Sequence, residues 1–266
     1  MARLRLDVAY DGGAFSGWAA QPNRTTVQGA LEGALSRVLR VPVGLTVAGR
    51  TDAGVHATGQ VCHLDVADAV DTAELVRRCN GLLDGVVRIL SASVVPDSFD
   101  ARFSALSRRY EYRLSDAAYG VLPLRRHDIV GHLRTLSLVR LRSASRPLVG
   151  LHDFAAFCRR RDGATTTRTL RRLAWRRDPD RVLVATLEAD AFCHQMVRSL
   201  IGTLLLAGDG RRPVEWPGEV LAGRDRAAAG SVAPPHGLTL VEVRYPADSR
   251  LAARAETTRA RRRTDH

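Results

Sequence analysis

Lysine is absent from the 266-residue sequence, so all 40 of its Lys+Arg positions are arginine. The choice of arginine over lysine can reflect a genome rich in G and C, whereas the formal net charge of +12 is evidence for an anionic partner. Long apolar runs are missing too, because residues 200–207, the longest candidate, are interrupted by Gly202 and Thr203. A membrane-spanning helix needs roughly 18 apolar residues, so we expect no membrane association.

Cysteine is scarce, and no two of the four cysteines form a Cys-x-x-Cys pair. This spacing argues against structural zinc and disulfide bonds, and it is typical of proteins from a reducing compartment. The first seven residues alternate polar and apolar types and lack the apolar centre of a signal peptide. We therefore expect a cytoplasmic protein without disulfides. The four cysteines are Cys62, Cys79, Cys158 and Cys193.

The positive charge is unevenly distributed along the chain. Residues 1–100 carry 9 arginines against 11 acidic residues, whereas residues 101–200 carry 20 against 9 and residues 201–266 carry 11 against 8. The hydrophobic content of 45% is ordinary for a globular protein and excludes a collagen, a coiled coil or a disordered acidic chain. A one-sided basic charge in a globular protein is typical of phosphate recognition, so the middle third is expected to contact an anionic partner that carries phosphates.

Hydrophobic periodicity predicts an α+β fold in two halves of similar order. For the first half, the pattern predicts strands over 4–10, 45–48, 60–66 and 87–95 and helices over 27–40 and 72–83. For the second half, it predicts strands over 109–114, 170–176, 181–189 and 238–245 and helices over 133–141, 194–207 and 219–222. We therefore expect an N-terminal domain over 1–105, a basic C-terminal domain over 106–246 and a disordered basic tail over 247–266.

One loop carries a candidate catalytic group. Residues 49–56 read GRTDAGVH, which places Arg50 two positions before Asp52 in a glycine-flanked loop that leaves a strand. A nearby guanidinium keeps a carboxylate ionised and ready to act as a nucleophile or base. The same spacing also suits a structural turn that Asp52 caps, and local chemistry alone leaves both readings open.

This segment belongs to an ordered series of motifs that resembles one enzyme family. Residues 48–56 with 59–61 closely resemble the catalytic motif of the tRNA pseudouridine synthase A family, and other segments resemble its remaining motifs in order. Those segments are residues 10–12 with 17–18, 99–104 with 108–112, 152–154, 191–192 with 194, 196–198, and 237–241 with 245–246. The resemblance covers residues 4–246.

The resemblance implies both a fold and an activity. The implied fold has two ferredoxin-like or RRM-like halves that share an extended, mainly antiparallel sheet, with helices on one side and a central cleft. The implied activity is a cofactor-independent isomerase that converts uridine to pseudouridine at positions 38 to 40 of the tRNA anticodon arm. The resemblance further implies a homodimer and no bound metal.

Residue roles follow from the motif positions. Asp52 matches the essential aspartate, which adds to the ribose, adds to the uracil ring or removes a sugar proton, three schemes that remain open. Tyr110 matches the tyrosine that stacks on the flipped uracil and helps to remove the proton from carbon 5. Arg198 matches the arginine that pairs with the aspartate. Arg50 matches the residue that fills the space of the extruded base, and Leu238 matches the apolar wall of the uracil pocket.

Simpler readings stand beside these assignments. Tyr110 and Leu238 also fit as core residues of alternating strands, and Arg198 also fits as a solvated helical arginine. The sequence departs from the family pattern at residues 80–86, which lack a proline, and at Gln195, where a histidine is usual.

Two other functions fit part of the sequence. A non-catalytic RNA-binding protein is compatible with the charge and the strand order, although the paired aromatic RRM signature is missing. A nuclease that uses Asp52 and His56 would need further clustered metal ligands.

Overall fold

The computed structural model describes residues 1–67, 69–159 and 165–264. The strands are β1 Ala2–Tyr10, β2 Thr46–Val47, β3 His56–Val66, β4 Val87–Val95, β5 Ser107–Ser115, β6 Val130–Gly131, β7 Gly150–Asp153, β8 Thr167–Arg177, β9 Leu183–Ala189 and β10 Leu238–Arg244. The helices are α1 Val27–Leu39, α2 Thr72–Leu82, α3 Leu138–Ser145, α4 Met196–Gly208, α5 Trp216–Gly223 and α6 Leu251–Thr264. The predicted α+β class is therefore confirmed.

The chain divides into two compact units. The first contains Met1–Leu106 and Leu240–Thr264, and the second contains Ser107–Thr239. The division after Leu106 lies one residue from the boundary expected from the sequence. However, most of β10 and the C-terminal helix belong to the first unit, so the sequence-based limits of 106–246 and 247–266 need revision.

The first unit is organised around strand β1. Its strands lie in the order β4-β1-β3-β10, with β2 paired to β3. Alternate β1 side chains from Leu4 to Tyr10 are buried, as the apolar–polar alternation predicts. β1 runs antiparallel to both β3 and β4, with Leu6 opposite Cys62 on β3. This register places the end of β1 beside the start of β3, where the GRTDAGVH loop joins β3.

Side-chain caps set the beginnings of the helices in the first unit. The Thr26 hydroxyl accepts a hydrogen bond from Gly29 N at the start of α1. The Asp71 carboxylate does the same for Glu74 N at the start of α2. Helix α1 ends where Arg40 adopts a left-handed conformation with φ of 60°. Both helices lie close to their predicted positions because capping and periodicity are local signals.

The second unit has the strand order β5-β9-β8-β7, with β6 added in parallel to β5. The β5–β9, β9–β8 and β8–β7 pairs are antiparallel. Helix α4 is apolar on most sides, and nine of its 13 residues are therefore buried. It starts at Met196 because Gln195 takes a left-handed conformation with φ of 66°.

Several elements differ from the sequence-based expectation. Strand β3 begins at His56 rather than at residue 60, because Ala57 pairs with Tyr10 on β1. Helix α3 covers Leu138–Ser145 rather than 133–141, because Ser137 caps it and Leu136 N is bound by the Asp116 carboxylate. Strands β6 and β7 were not predicted, because both are too short to show a clear pattern in the sequence.

The expected disordered tail is corrected for residues 251–264, which form helix α6. Leu251 and the residue one turn later, Ala255, are buried. The Arg254 guanidinium donates to Ala105 O, and Arg259 pairs with Asp100 at 2.8 Å. The helix thus depends on contacts with the distant segment 100–105, which no local pattern reveals. Residues 265 and 266 of the expected tail lie outside the described part of the chain.

Two further findings concern membrane-spanning helices and the cysteines. No helix in the described part of the chain is long and apolar enough to cross a membrane. The expectation that the cysteines are unpaired is wrong for Cys158 and Cys193, which form a disulfide. Cys62 and Cys79 are free and buried. The sequence spacing of 35 residues gave no sign of the pairing, since the fold alone brings the two segments together.

Candidate active site

The Asp52 loop, residues 48–55, connects β2 to β3 in the first unit. The Asp52 side chain is half-buried, whereas Arg50 is exposed. The loop closes on itself where Val55 N donates to Asp52 O at 3.2 Å. The structure therefore presents the predicted carboxylate at the rim of a tight turn, with the predicted guanidinium on its exposed side.

A buried hydrogen-bond network lies under the Asp52 loop. The hydroxyls of Tyr10 and Thr51 share a hydrogen bond of 2.8 Å, and Gln60 Nε2 donates to Tyr10 Oη at 3.1 Å. Gln60 Nε2 also donates to Gly49 O at 2.8 Å, at the other end of the loop. All three side chains are almost inaccessible to solvent. Burial raises the pKa of the Tyr10 hydroxyl, so it stays a neutral hydrogen-bonding group.

The segment after β1 packs directly against the Asp52 loop. A Cβ on Gly12 would overlap the backbone carbonyl of Val55, so only glycine fits there. Gly17 has φ of 99° and lies against the backbone of Thr51, whose carbonyl accepts a hydrogen bond from Trp18 N at 3.0 Å. Two glycines thus let a neighbouring chain segment support the loop backbone.

His56 takes part in the same support. Its Nδ1 accepts a hydrogen bond from Gly12 N at 3.0 Å, and the Asp11 carboxylate lies 3.0 Å from that nitrogen. The bond to Gly12 occupies Nδ1, one of the two ring nitrogens of His56. Among the residues that the structure describes, no three His, Cys, Asp or Glu side chains group as a metal site.

In the second unit, Tyr110 lies in the middle of β5 opposite Leu187 on β9. Its side chain is 8% exposed, and its ring meets Phe192 edge-on with centroids 5.2 Å apart. Tyr112 lies on the same strand face, fully buried, and its hydroxyl donates to Pro234 O at 3.0 Å. Burial raises the pKa of Tyr112, although the positive charge of Arg198 acts in the opposite direction.

Arg198 lies on the first turn of α4 and is half-buried. Its Nε donates to Ala233 O at 2.7 Å, and Ala233 N donates back to Arg198 O at 3.0 Å. The left-handed Gln195 just before the helix is held by Arg226, whose Nη2 donates to Gln195 Oε1 at 2.7 Å. The Arg198 guanidinium is therefore held to the backbone at Ala233, in the segment that leads to β10.

Leu238 begins β10 and is 4% exposed. The preceding Gly237 fits closely against β5, because a Cβ there would lie 2.9 Å from both Arg113 O and the Tyr112 ring. Together with the Tyr112–Pro234 hydrogen bond, this contact places the segment before Leu238 on the strand that carries Tyr110.

The five predicted residues divide between the units. Arg50 and Asp52 share the loop of the first unit, and the other three lie on β5, α4 and the start of β10 in the second unit. The supporting side chains of Tyr10, Thr51 and Gln60 were not predicted as functional, although all three fall inside the motifs quoted above. Gln60 could have been recognised from the sequence as a polar amide side chain within a predicted strand of mostly apolar residues.

A family model described as tRNA pseudouridine synthase matches residues 8–104 and 144–246. The chain belongs to this family. The matched ranges include Asp52, Arg198 and Leu238, whereas Tyr110 falls between them. The family predicted from the sequence is thereby confirmed, and with it the isomerase class of the enzyme.

Curated relatives are similar over almost the whole chain. The relative from Frankia casuarinae is 60% identical over 261 residues, covering 98% of this chain and 95% of the relative. Those from Streptomyces griseus and Mycobacterium leprae are 56% and 50% identical, each covering 97% of this chain and 93% and 94% of the relatives. All three are named tRNA pseudouridine synthase A.

Proposed function

We propose that this chain converts uridine to pseudouridine at positions 38 to 40 of the tRNA anticodon arm, with Asp52 as the catalytic carboxylate. The observation that carries the proposal is the support of the Asp52 loop at Gly49 and Thr51 by the buried side chains of Gln60 and Tyr10. A turn held from below by buried hydrogen bonds keeps its carboxylate in one position, which catalysis requires.

The reaction exchanges one bond for another within the nucleotide. The bond between N1 of uracil and C1′ of ribose breaks, the ring turns, and a bond between C5 and C1′ forms. C5 loses a proton and N1 gains one, so atoms and electrons balance without a redox partner. In this proposal Asp52 acts on the sugar or on the ring, and Arg198 has the role that its position in the family motif implies. Tyr110 stacks on the uracil and assists removal of the C5 proton.

The remaining assignments concern substrate binding. Flipping a uridine out of an RNA stack costs roughly a few kcal/mol. Arg50 suits the position of the departed base because its guanidinium is exposed beside Asp52. Leu238 offers a buried apolar surface at the start of β10, which suits one side of the uracil pocket.

Phosphate contacts offset the cost of base flipping. The second unit supplies most of the arginines, and several on β8 are exposed, including Arg171 and Arg172. We propose that this basic surface binds the tRNA backbone by shape and charge. We also propose that the enzyme works in the cytoplasm as a homodimer and needs neither cofactor nor metal. Light scattering of the purified chain tests the dimer.

The decisive assay uses tRNA labelled with tritium at C5 of uridine, because forming pseudouridine releases that tritium to water. We expect release by the wild-type protein and none by Asp52→Asn, with tRNA binding retained. Asp84→Asn is the matched control, since Asp84 is an exposed aspartate of the same unit, and it should release tritium at the wild-type rate. Binding without release by the wild type would instead indicate the non-catalytic RNA-binding protein.

The target positions need a separate measurement. Substrates in which position 38, 39 or 40 is the single labelled uridine distinguish the three sites. Release from each of them supports the full assignment, and release only from labelled uridines elsewhere would refute it.

A further inference from the structure

The disulfide between Cys158 and Cys193 joins two segments of the second unit, neither of which is a strand of the sheet. Cys158 follows the short turn Ala155–Phe157, and Cys193 lies between β9 and α4. Their Cα atoms are 5.6 Å apart, which is the usual separation in a disulfide. The next residues also meet, because Arg159 N donates to His194 O at 2.9 Å. The backbone itself therefore places the two cysteines as a pair.

The paired cysteines differ from the other two, which are free. A disulfide is also unusual in the cytoplasm, the compartment expected from the sequence. Cys62 and Cys79 are buried free thiols, whereas Cys193 is half-buried and so within reach of a small reagent. Disulfides of cytoplasmic proteins are usually transient and respond to redox conditions. A pair that is preformed by the fold and partly accessible fits this class better than it fits a permanent structural bond.

The location of Cys193 connects the pair to the candidate active site. The neighbouring residue Phe192 packs edge-on against Tyr110, with ring centroids 5.2 Å apart. Three residues after Cys193, Met196 begins helix α4, which carries Arg198 on its first turn. A covalent link at Cys193 therefore restrains the segment between β9 and α4. This segment contacts Tyr110 through Phe192 and leads into the first turn of α4, which carries Arg198.

We propose that Cys158 and Cys193 form a reversible dithiol–disulfide site that controls the mobility of residues 191–195 and, through Phe192, the access of substrate to Tyr110. The effect on substrate rests on the proposed function, in which Tyr110 stacks on the flipped uracil. With the disulfide closed, Phe192 is held on Tyr110. With the thiols reduced, the segment can move aside and a base can take that place.

Oxidation by a small-molecule disulfide balances without another reagent. The thiolate of Cys193 attacks one sulfur of the reagent, forms a mixed disulfide and releases one thiolate of the reagent. The thiolate of Cys158 then attacks the Cys193 sulfur and releases the second reagent thiolate. Two electrons pass from the protein to the reagent, and the two protons of the cysteine thiols end on the two released thiols.

The first experiment measures the pair itself in the full-length protein. The chain is equilibrated in buffers of glutathione and glutathione disulfide, quenched with acid, unfolded and alkylated, and the linked peptides are identified by mass. We expect four alkylated cysteines per chain under reducing conditions and two under oxidising conditions, with Cys158 linked to Cys193. Cys158→Ala and Cys193→Ser should each lose this response, while Cys79→Ala keeps it. Absence of the Cys158–Cys193 link at every ratio would overturn the proposal.

The second experiment measures mobility without using activity. We expect amide hydrogens of residues 191–195 to exchange at least threefold more slowly in the oxidised wild type than in the reduced one. The Tm of the oxidised form should be higher by roughly 5 to 10 °C. Neither difference should appear in Cys193→Ser. Equal exchange in the two forms would refute the proposed control of this segment.

The third experiment tests the coupling to Tyr110 by tritium release from labelled tRNA. The reduced wild type should release tritium several-fold faster than the oxidised one, and Cys158→Ala should be fast under both conditions. Equal rates in an active enzyme would remove the coupling. If neither form is active, the proposed function fails while the thiol and exchange measurements still decide whether the switch exists.

Discussion

Replacing Tyr10 with phenylalanine removes the hydroxyl that joins Thr51 to Gln60 beneath the Asp52 loop. The substitution keeps the ring, which is 5% exposed and lies 5.9 Å from the Trp18 ring, so the packing of the core is preserved. Two hydrogen bonds disappear, of 2.8 and 3.1 Å, and their remaining partners are buried. The loop keeps the 2.8 Å bond from Gln60 to Gly49 but loses its connection at Thr51.

The loss should affect both stability and catalysis. A buried polar group left without its partner costs roughly 1 to 3 kcal/mol. For a chain of this size the Tm should fall by roughly 2 to 10 °C. Thr51 precedes Asp52, so release of its hydroxyl lets the carboxylate move. A displacement of about 1 Å near the reacting atoms can cost roughly 100-fold in rate. We expect kcat for tritium release to fall at least tenfold, while KM for tRNA changes little.

The matched control is Tyr245→Phe, the same chemical change in the same unit. The Tyr245 hydroxyl donates to Ala101 O at 2.7 Å, away from the Asp52 loop. This variant should lose a similar amount of Tm and keep the wild-type kcat. The reasoning is refuted if Tyr10→Phe turns over at the wild-type rate despite a lower Tm, or if both variants lose kcat in proportion to stability.

Three further predictions concern packing, pH and salt. Gly12→Ala puts a methyl group into the Val55 carbonyl and should cost roughly 3 kcal/mol or more in unfolding free energy, measured by urea titration, whereas Gly85→Ala, with open space around it, should be nearly neutral. Burial and the charge of Arg3 lower the pKa of His63 below its ordinary value, so the folded state binds the proton less well than the unfolded chain. Stability should therefore be complete above about pH 6.5 and decline as the pH falls toward the lowered pKa, and His63→Asn should show a flatter profile. The affinity for tRNA should fall steeply with added salt, and a flat response would show that the basic middle third does not bind the backbone.

The predictable part of the fold is the part encoded by local patterns. Alternation along β1 places its buried face correctly, and the caps at Thr26 and Asp71 fix two helices within a residue or so. The errors occur where distant pairing decides. Strand β3 extends back to His56 because it pairs with the end of β1. Helix α6 exists because Leu251 and Ala255 find a buried surface. Neither partner is visible from the segment's own sequence.

The candidate site divides in the same way. The motif predicts Asp52 and Arg50 because their spacing is local, and both residues lie within the range that the family model matches. The network below the loop joins Tyr10 to residues 41 and 50 positions away. Those partners became recognisable only when the register of β1 against β3 was known. The disulfide follows the same rule, since its cysteines are 35 residues apart and belong to two irregular segments.

The sequence places two tyrosines on one face of β5, and the structure buries both side chains. The Tyr112 hydroxyl donates to Pro234 O in a fully buried position, and burial raises its pKa. A hydroxyl committed in this way holds the segment before Leu238 and is not suited to take a proton from a substrate. The Tyr110 ring meets the Phe192 ring edge-on, and Phe192 precedes Cys193 of the disulfide. In the switch that we propose, a flipped base reaches this ring when the segment that carries Phe192 moves. The same strand thus supplies a fixed tyrosine for structure and, two residues earlier, the tyrosine that we assign to catalysis.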